Sequence, residues 1–369
     1  MKIVADENMP LVHELFSPYG DVVTFPGREL SAEQVKDADA LLVRSVTRVN
    51  GELLEGSRVR FVGSATIGVD HVDRVYLENR DIAFANAPGC NANAVVQYVL
   101  SAISRVRPDW LRQTVGIVGC GNVGGRLYRT LKALGVNCRC YDPFLTSLQN
   151  PDLCSFEEVL DATILCLHTP LTSGGEHPTY HLLDETALRK FSAGGLLINA
   201  GRGAVVDNQA LLRLMPDYAW QVVLDVWEDE PEICLPLLAQ VDIGTPHIAG
   251  YSWDGKVNGS QMVRDAFCNW LGVAKPEVPA MDNCIDLIKM TALGRAVLAV
   301  YDVAEDDRRM REALLGDGRV PGGERNVAAA FDQLRKTYPQ RLEFHHYRAR
   351  GVSDPTLVAQ LATLGFATA

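Results

Sequence analysis

Six short, strongly apolar runs between residues 114 and 247 constrain this chain more than any other feature. They are TVGIVG (114–119), VNCRCYD (136–142), ATILCLH (162–168), LLINAG (196–201), VVLDVW (222–227) and VDIGTPH (241–247). Runs this short and this apolar, with helical spacing between them, predict strands buried on both faces of a parallel sheet. Five more β-rich runs precede them: KIVAD (2–6), DVVTF (21–25), ALLVR (40–44), RFVGSA (60–65) and IAFANA (82–87). Helical patterns at 8–17 and 70–79 lie among these, and a longer one covers 91–105. Two such series in succession predict two doubly wound α/β lobes, with ligands at the carboxyl ends of their strands. Asn258–Leu271 follows the last run and is predicted to return the chain to the first lobe. From Asp286 the texture changes to a long helical pattern (292–314), Gly- and Pro-rich RVPGGE (319–324), a helix (327–337), strand-like RLEFHHY (341–347) and a short helix (355–364). The expected division is 1–92 with 253–285, then 93–252, then a small C-terminal α+β domain at 286–369.

Composition narrows the function classes. Among 369 residues, 47% are hydrophobic and 22% charged, enough for substantial cores and unlike a disordered chain. The net charge of −11 argues against nucleic acid or an anionic membrane as partner. Residues 286–369 add no basic patch, with 12 basic and 11 acidic side chains. No apolar run is long enough to span a membrane, and the start MKIVADENMP lacks a signal layout. Nine cysteines without paired metal spacing read as reduced thiols of a cytoplasmic protein, and no metal is expected. His177 and His181 bracket Pro178, which spoils a helical pair of ligands.

GCGNVG (119–124) fits G-x-G-x-x-G, follows an apolar strand and opens a helix. Gly119 makes the turn, Gly121 admits a pyrophosphate to the backbone, and Gly124 allows close helix packing. The N–H groups around Asn122 and Val123 open the helix toward the phosphates. A further strand ends at Asp142, which is placed to accept hydrogen bonds from the adenosine ribose and to repel a 2′-phosphate. The cofactor expected is therefore NAD.

Three further segments follow in order: INAGRGAVVDNQAL (198–211), LDVWEDEPE (224–232) and TPHIAG (245–250). Together with GCGNVG they resemble the D-isomer-specific 2-hydroxyacid dehydrogenase family over roughly residues 1–285. The resemblance implies a Rossmann-type NAD lobe, a flavodoxin-like substrate lobe and a catalytic set of Arg202, Glu230 and His247. It also implies that Thr169 (in LHTPL), Ala200, Asp225 and Gly250 face the cofactor. The chemistry makes sense of these residue types. Oxidising a 2-hydroxy acid removes a hydride from carbon and a proton from oxygen, so the protein must supply a base and a carboxylate anchor. A neutral imidazole at His247 takes the proton. Glu230 favours its imidazolium and holds the ring, and Arg202 offers a planar fork to the carboxylate.

Within the family, KIVADENMP, LLVRSVTRVN (41–50), HIAGY and the appended ALGRAVLAVYDV (292–303) resemble a branch acting on a small phosphorylated 2-hydroxy acid of four carbons. The resemblance implies substrate contacts at Ser45, Thr66 and Tyr251, and Arg44 is suited to the phosphate. Another dehydrogenase of the family, acting on a shorter acid such as phosphoglycerate, is the alternative. An NAD-sensing co-repressor-like protein is the alternative from outside the enzymes. Leu293, Val297, Val300 and Tyr301 form one apolar stripe on a helix, and a homodimer through the C-terminal domain is expected.

Overall fold

The computed structural model describes residues 1–275, 284–288, 290–316 and 326–368. The chain divides into two compact units. One is Met1–Asn91 with the described part of Tyr251–Asp282; the other is Ala92–Gly250 with the described part of Asn283–Ala369.

The first unit carries five parallel strands, β1 Lys2–Asp6, β2 Asp21–Phe25, β3 Ala40–Val43, β4 Phe61–Ser64 and β5 Ala83–Asn86, in the order β2-β1-β3-β4-β5. This is the flavodoxin-like order. Successive side chains point to opposite faces, and here both faces are covered. Ile3, Ala5, Ala40 and Leu42 pack with Val263 and Phe267, whereas Val4, Leu41, Val43 and Val62 pack with Leu54 and Leu77. That double burial is why the strands read as unbroken apolar runs. The returning helix spans Trp253–Leu271, five residues longer at its start than the pattern suggested. Ser252 caps it, its Oγ accepting from the Gly255 N–H at 2.8 Å.

The second unit holds β6 Thr114–Val118, β7 Asn137–Tyr141, β8 Ile164–Leu167, β9 Leu196–Asn199, β10 Gln221–Leu224 and β11 Ile243–Gly244, all parallel, in the order β11-β10-β9-β8-β6-β7. A lone bridge between Cys140 and Leu153 extends the β7 edge. From β6 the chain runs first to β7 on one side and then to β8 on the other, so the loop after β6 sits at the topological switch point. The apolar pattern carried strands through Trp227 and His247, but β10 ends at Leu224 and β11 at Gly244. The residues beyond are held by side chains instead of a ladder, as described below.

In the C-terminal segment, the continuous helix expected over 292–314 is two helices, Leu293–Val300 and Val303–Leu314. Ser101, from helix Ala92–Val106, enters the break. Its Oγ donates to the Tyr301 carbonyl at 2.8 Å and accepts from the Val303 N–H at 3.0 Å. The run 341–347 is likewise not one strand: a 3₁₀ turn covers Phe344–His346 and the strand, β13 Tyr347–Arg350, begins at its last residue. Arg341, Glu343 and His346 are buried polar groups there, incompatible with an alternating half-exposed strand. β13 lies between β12 Ile285–Ile288 and β14 Ala367–Thr368 in a parallel sheet, and β12 had not been read from the sequence. Val327–Lys336 and Pro355–Leu364 are helices, and RVPGGE lies outside the described residues.

Residues 286–369 were expected as a separate domain; by contacts they share a unit with the nucleotide lobe. Met310, Leu314 and Phe331 join one core with Leu237, Leu238 and Trp227. Among the described residues no helix is long and apolar enough to cross a membrane.

Candidate active site

The glycine loop after β6 has the geometry its residues require. Gly119 has φ +85°, and its N–H donates to the Tyr141 carbonyl at 2.8 Å. A Cβ on Gly124 would fall 1.9 Å from the Gly119 carbonyl oxygen, so only glycine lets helix Asn122–Ala133 approach the loop. A Cβ on Gly121 would meet no atom within 4 Å. That space lies at the N-terminus of a 12-residue helix that has no side-chain cap. The carboxylate of Asp142 closes the loop from the end of β7, accepting from the Cys120 N–H at 2.8 Å and the Phe144 N–H at 3.0 Å.

Beside this loop, His168 and Thr169 extend from β8. Backbone atoms of both lie next to Gly119 and Gly201. Both ring nitrogens of His168 and Oγ1 of Thr169 are buried without a hydrogen-bond partner in the protein. Burial pushes the His168 pKa down to about 4, so the ring is neutral at physiological pH. An open glycine cradle, an uncapped helix end and orphaned buried polar atoms fit a dinucleotide. Gly119, Gly121, Asn122, Val123, Gly124, Asp142 and Thr169 would hold it. His168 was passed over in the sequence, although a histidine closing an apolar strand was the visible signal.

On the same unit, the loop after β9 presents Arg202. The Asn199 side chain folds this loop, donating to the Arg202 carbonyl at 3.0 Å and accepting from the Gly201 N–H at 3.1 Å. Arg202 Nη1 donates to the Gly201 carbonyl at 2.9 Å. Ala200 is half-buried in the same loop. A Cβ on Gly203 would lie 1.8 Å from the Trp227 carbonyl oxygen, so the loop lies directly on the Trp227–Glu228 backbone.

His247 and Glu230 meet at this end of the sheet, His247 Nδ1 lying 2.8 Å from Glu230 Oε2. The other Glu230 oxygen accepts from the Trp227 N–H at 2.7 Å. Burial pushes the Glu230 carboxyl up, but the His247 charge, its hydrogen bond and the Trp227 N–H outweigh that. The result is a pKa below the ordinary carboxylate value. With Nδ1 engaged, Nε2 is the ring atom left to exchange a proton with a substrate.

Beneath the pair, Asp225 is almost fully buried. Its Oδ1 accepts from Thr245 Oγ1 at 2.7 Å and the Ile248 N–H at 2.8 Å, and its Oδ2 from the Ala249 N–H at 2.9 Å. These bonds hold the turn in which His247 sits at φ +56°. Burial raises the Asp225 pKa against the pull of His247 and these donors. Gly250 ends the first segment of this unit.

The remaining candidates belong to the first unit. Arg44 and Ser45 follow β3 and Thr66 follows β4, the adjacent strand, at its carboxyl end. Arg44 Nη1 lies 3.5 Å from the Asn8 carbonyl, and Ser45 is exposed. The Thr66 hydroxyl is 2.7 Å from Ser64 Oγ and donates to the Gly68 carbonyl at 3.0 Å. Tyr251 precedes the returning helix, with Lys256 Nζ 5.1 Å from its ring centroid.

Comparison with known proteins agrees with this geometry. Residues 102–249 match the NAD binding domain of the D-isomer specific 2-hydroxyacid dehydrogenases, and residues 275–365 match a domain of unknown function, DUF3410. Among solved structures, NAD⁺-bound 3-phosphoglycerate dehydrogenase from Entamoeba histolytica superposes with a TM-score of 0.64. It has 24% identity and covers 74% of this chain and 95% of its own. D-lactate dehydrogenase from Aquifex aeolicus, solved with NAD and lactic acid, gives 0.61 at 22% identity, over 74% and 96%. These likenesses show the shared fold. The chain is an NAD-dependent oxidoreductase of the D-2-hydroxyacid dehydrogenase class.

Full-length relatives resolve the class further. Erythronate-4-phosphate dehydrogenase of Cellvibrio japonicus is 53% identical over 95% of each chain, and that of Saccharophagus degradans is 47% identical over 99% of each. The chain belongs to the erythronate-4-phosphate dehydrogenase family.

Proposed function

We propose that this chain oxidises 4-phospho-D-erythronate at C2 to 2-oxo-3-hydroxy-4-phosphobutanoate, in the cytoplasm, as a step of pyridoxal 5′-phosphate synthesis. The observation that carries the reading is the 2.8 Å Glu230–His247 pair beside the Arg202 loop, in the unit that holds the glycine cradle. Bound NAD supplies the acceptor for the hydride from C2. His247 Nε2 takes the hydroxyl proton while Glu230 stabilises the resulting imidazolium and fixes the ring. Arg202 orients the carboxylate, and Asp225 keeps the His247 turn in place from below. Ala200 and Gly250 line the cofactor's path. The far phosphate is read by Arg44, Ser45, Thr66 and Tyr251, a local cationic and hydroxyl set on a chain of net charge −11.

Absorbance of the reduced nicotinamide, followed with 4-phosphoerythronate and with erythronate, tests this. Arg44→Ala should lose on the order of 10–100-fold in kcat/KM on the phosphorylated acid, as for one charge-assisted hydrogen bond, and little on the other. Equal wild-type efficiency on both acids would remove the phosphate site.

The same reading makes the enzyme a homodimer through its C-terminal segment. Of the apolar stripe, Leu293, Val297 and Tyr301 are buried and Val300 is half-buried, and helix Leu293–Val300 packs on Ala92–Val106 of its own chain. Ile285 and Ile288, exposed on the edge strand β12, are the groups a partner would cover.

A further inference from the structure

The C-terminal segment grips the stretch of chain that carries His247. Helix Val303–Leu314 lies along β11 and helix Leu235–Gln240. Asp307 Oδ1 accepts from the Gly244 N–H at 2.7 Å. Asp307 also holds Arg311, at 2.8 and 2.9 Å to Nε, and Arg311 donates to the Leu238 and Val241 carbonyls at 2.9 and 2.6 Å. Farther along, buried Arg341 lies over the Tyr301 ring, 4.3 Å from its centroid, and Nη2 donates to the Ala249 carbonyl at 2.5 Å. The neighbouring residues anchor this arginine to helix Ala92–Val106. Glu343 accepts from Asn93 Nδ2 at 2.7 Å, and the Leu342 carbonyl from Gln97 Nε2 at 3.2 Å.

His247 lies between the gripped residues Gly244 and Ala249, in a left-handed backbone conformation that a side-chain-bearing residue adopts only when its surroundings enforce it. Asp225, just past the end of β10, takes the N–H groups of Ile248 and Ala249. Arg341 takes the Ala249 carbonyl. The two together fix both polar groups of the Ala249 backbone, two residues from the catalytic ring.

We propose that Arg341 is a positioning residue for His247, and that the appended segment, through Arg341, Asp307 and Arg311, forms part of the frame of the active site. This rests on His247 being the proton acceptor. A group displaced by about 1 Å can lose on the order of 100-fold in rate without losing its ligands. Arg341→Met in the full chain should therefore lower kcat by about 10–100-fold, while KM and the Kd for NAD stay within about threefold. Arg341→Lys, which keeps a buried cation and one donor, should recover part of kcat. Asp307→Asn, at the other end of the grip, should show a smaller loss of the same kind, and it decides the matter if Arg341→Met does not fold. Two outcomes overturn the proposal: a folded variant with wild-type kcat, or kcat and NAD affinity falling in the same proportion. Turnover retained by His247→Asn would instead overturn the assignment of the base, and is read separately.

Discussion

At the scale of single residues, the site turns on which carboxylates are paired and which are merely buried. Replacing His247 by Asn should cost on the order of 10²–10⁴-fold in turnover, as for removal of a general base, with NAD binding retained by titration. Glu230 has a pKa lowered in the folded protein, so its pairing stabilises the fold above the unfolded carboxyl pKa of about 4.3. That stabilisation is lost as pH falls through the lower folded value. Urea unfolding should then separate wild type from Glu230→Gln at neutral pH and bring them together in acid; a gap constant with pH would refute the pairing. Asp142 carries a second residue-scale prediction. Asp142→Asn keeps one of the two oxygens that accept from the Cys120 and Phe144 N–H groups and removes the charge that opposes a 2′-phosphate of about −1.5 to −2 charges. The ratio of kcat/KM for NADP to that for NAD should rise on the order of tenfold. Equal wild-type use of both cofactors would show that Asp142 does not discriminate.

For the strand–loop–helix element after β6, two glycines separate packing from binding. In Gly124→Ala, a helix-propensity gain of about 1 kcal/mol meets a backbone oxygen 1.9 Å from the new carbon. Overpacking of about 1–3 kcal/mol should win, and both stability and NAD affinity should fall. In Gly121→Ala the new carbon meets no protein atom within 4 Å. The stability loss should be smaller than for Gly124→Ala, yet NAD affinity should fall at least about tenfold, because the methyl occupies the pyrophosphate's approach. Calorimetric unfolding and NAD titration of the two variants give the comparison, and Gly121→Ala with unaltered affinity would place the phosphates elsewhere. This element was legible in the sequence because its constraints are local: a turn, a close contact and a helix end within six residues. The helix at 292–314 was not. Its apolar spacing is continuous, and the break is held by the Asp302 cap, which accepts from the Ala304 N–H, together with the hydroxyl of Ser101, 200 residues away from Tyr301.

The whole molecule raises the question of what the C-terminal segment does. Its helices share a core with the nucleotide lobe, so removing it would strip apolar surface from the catalytic unit as well as any partner contact. Charges placed on the exposed edge are the cleaner probe. Ile285→Asp with Ile288→Asp should shift the sedimenting species from dimer to monomer, and the unfolding midpoint should lose the dependence on protein concentration that a dimer shows. A full-length wild-type chain that sediments as a monomer at micromolar concentration would refute the dimer.

Two parallel sheets, the glycine cradle and the order of the Arg202, Glu230 and His247 segments followed from the sequence alone. Burial on both sheet faces, tight turns and charged side chains at strand ends each leave a local imprint in residue type. The sequence could not show where β10 and β11 stop, that Asp225 lies under the His247 turn, or that Arg341 reaches the Ala249 carbonyl. Those depend on hydrogen bonds between residues up to 92 positions apart, which exist only once the packed units have brought their polar atoms within 3 Å.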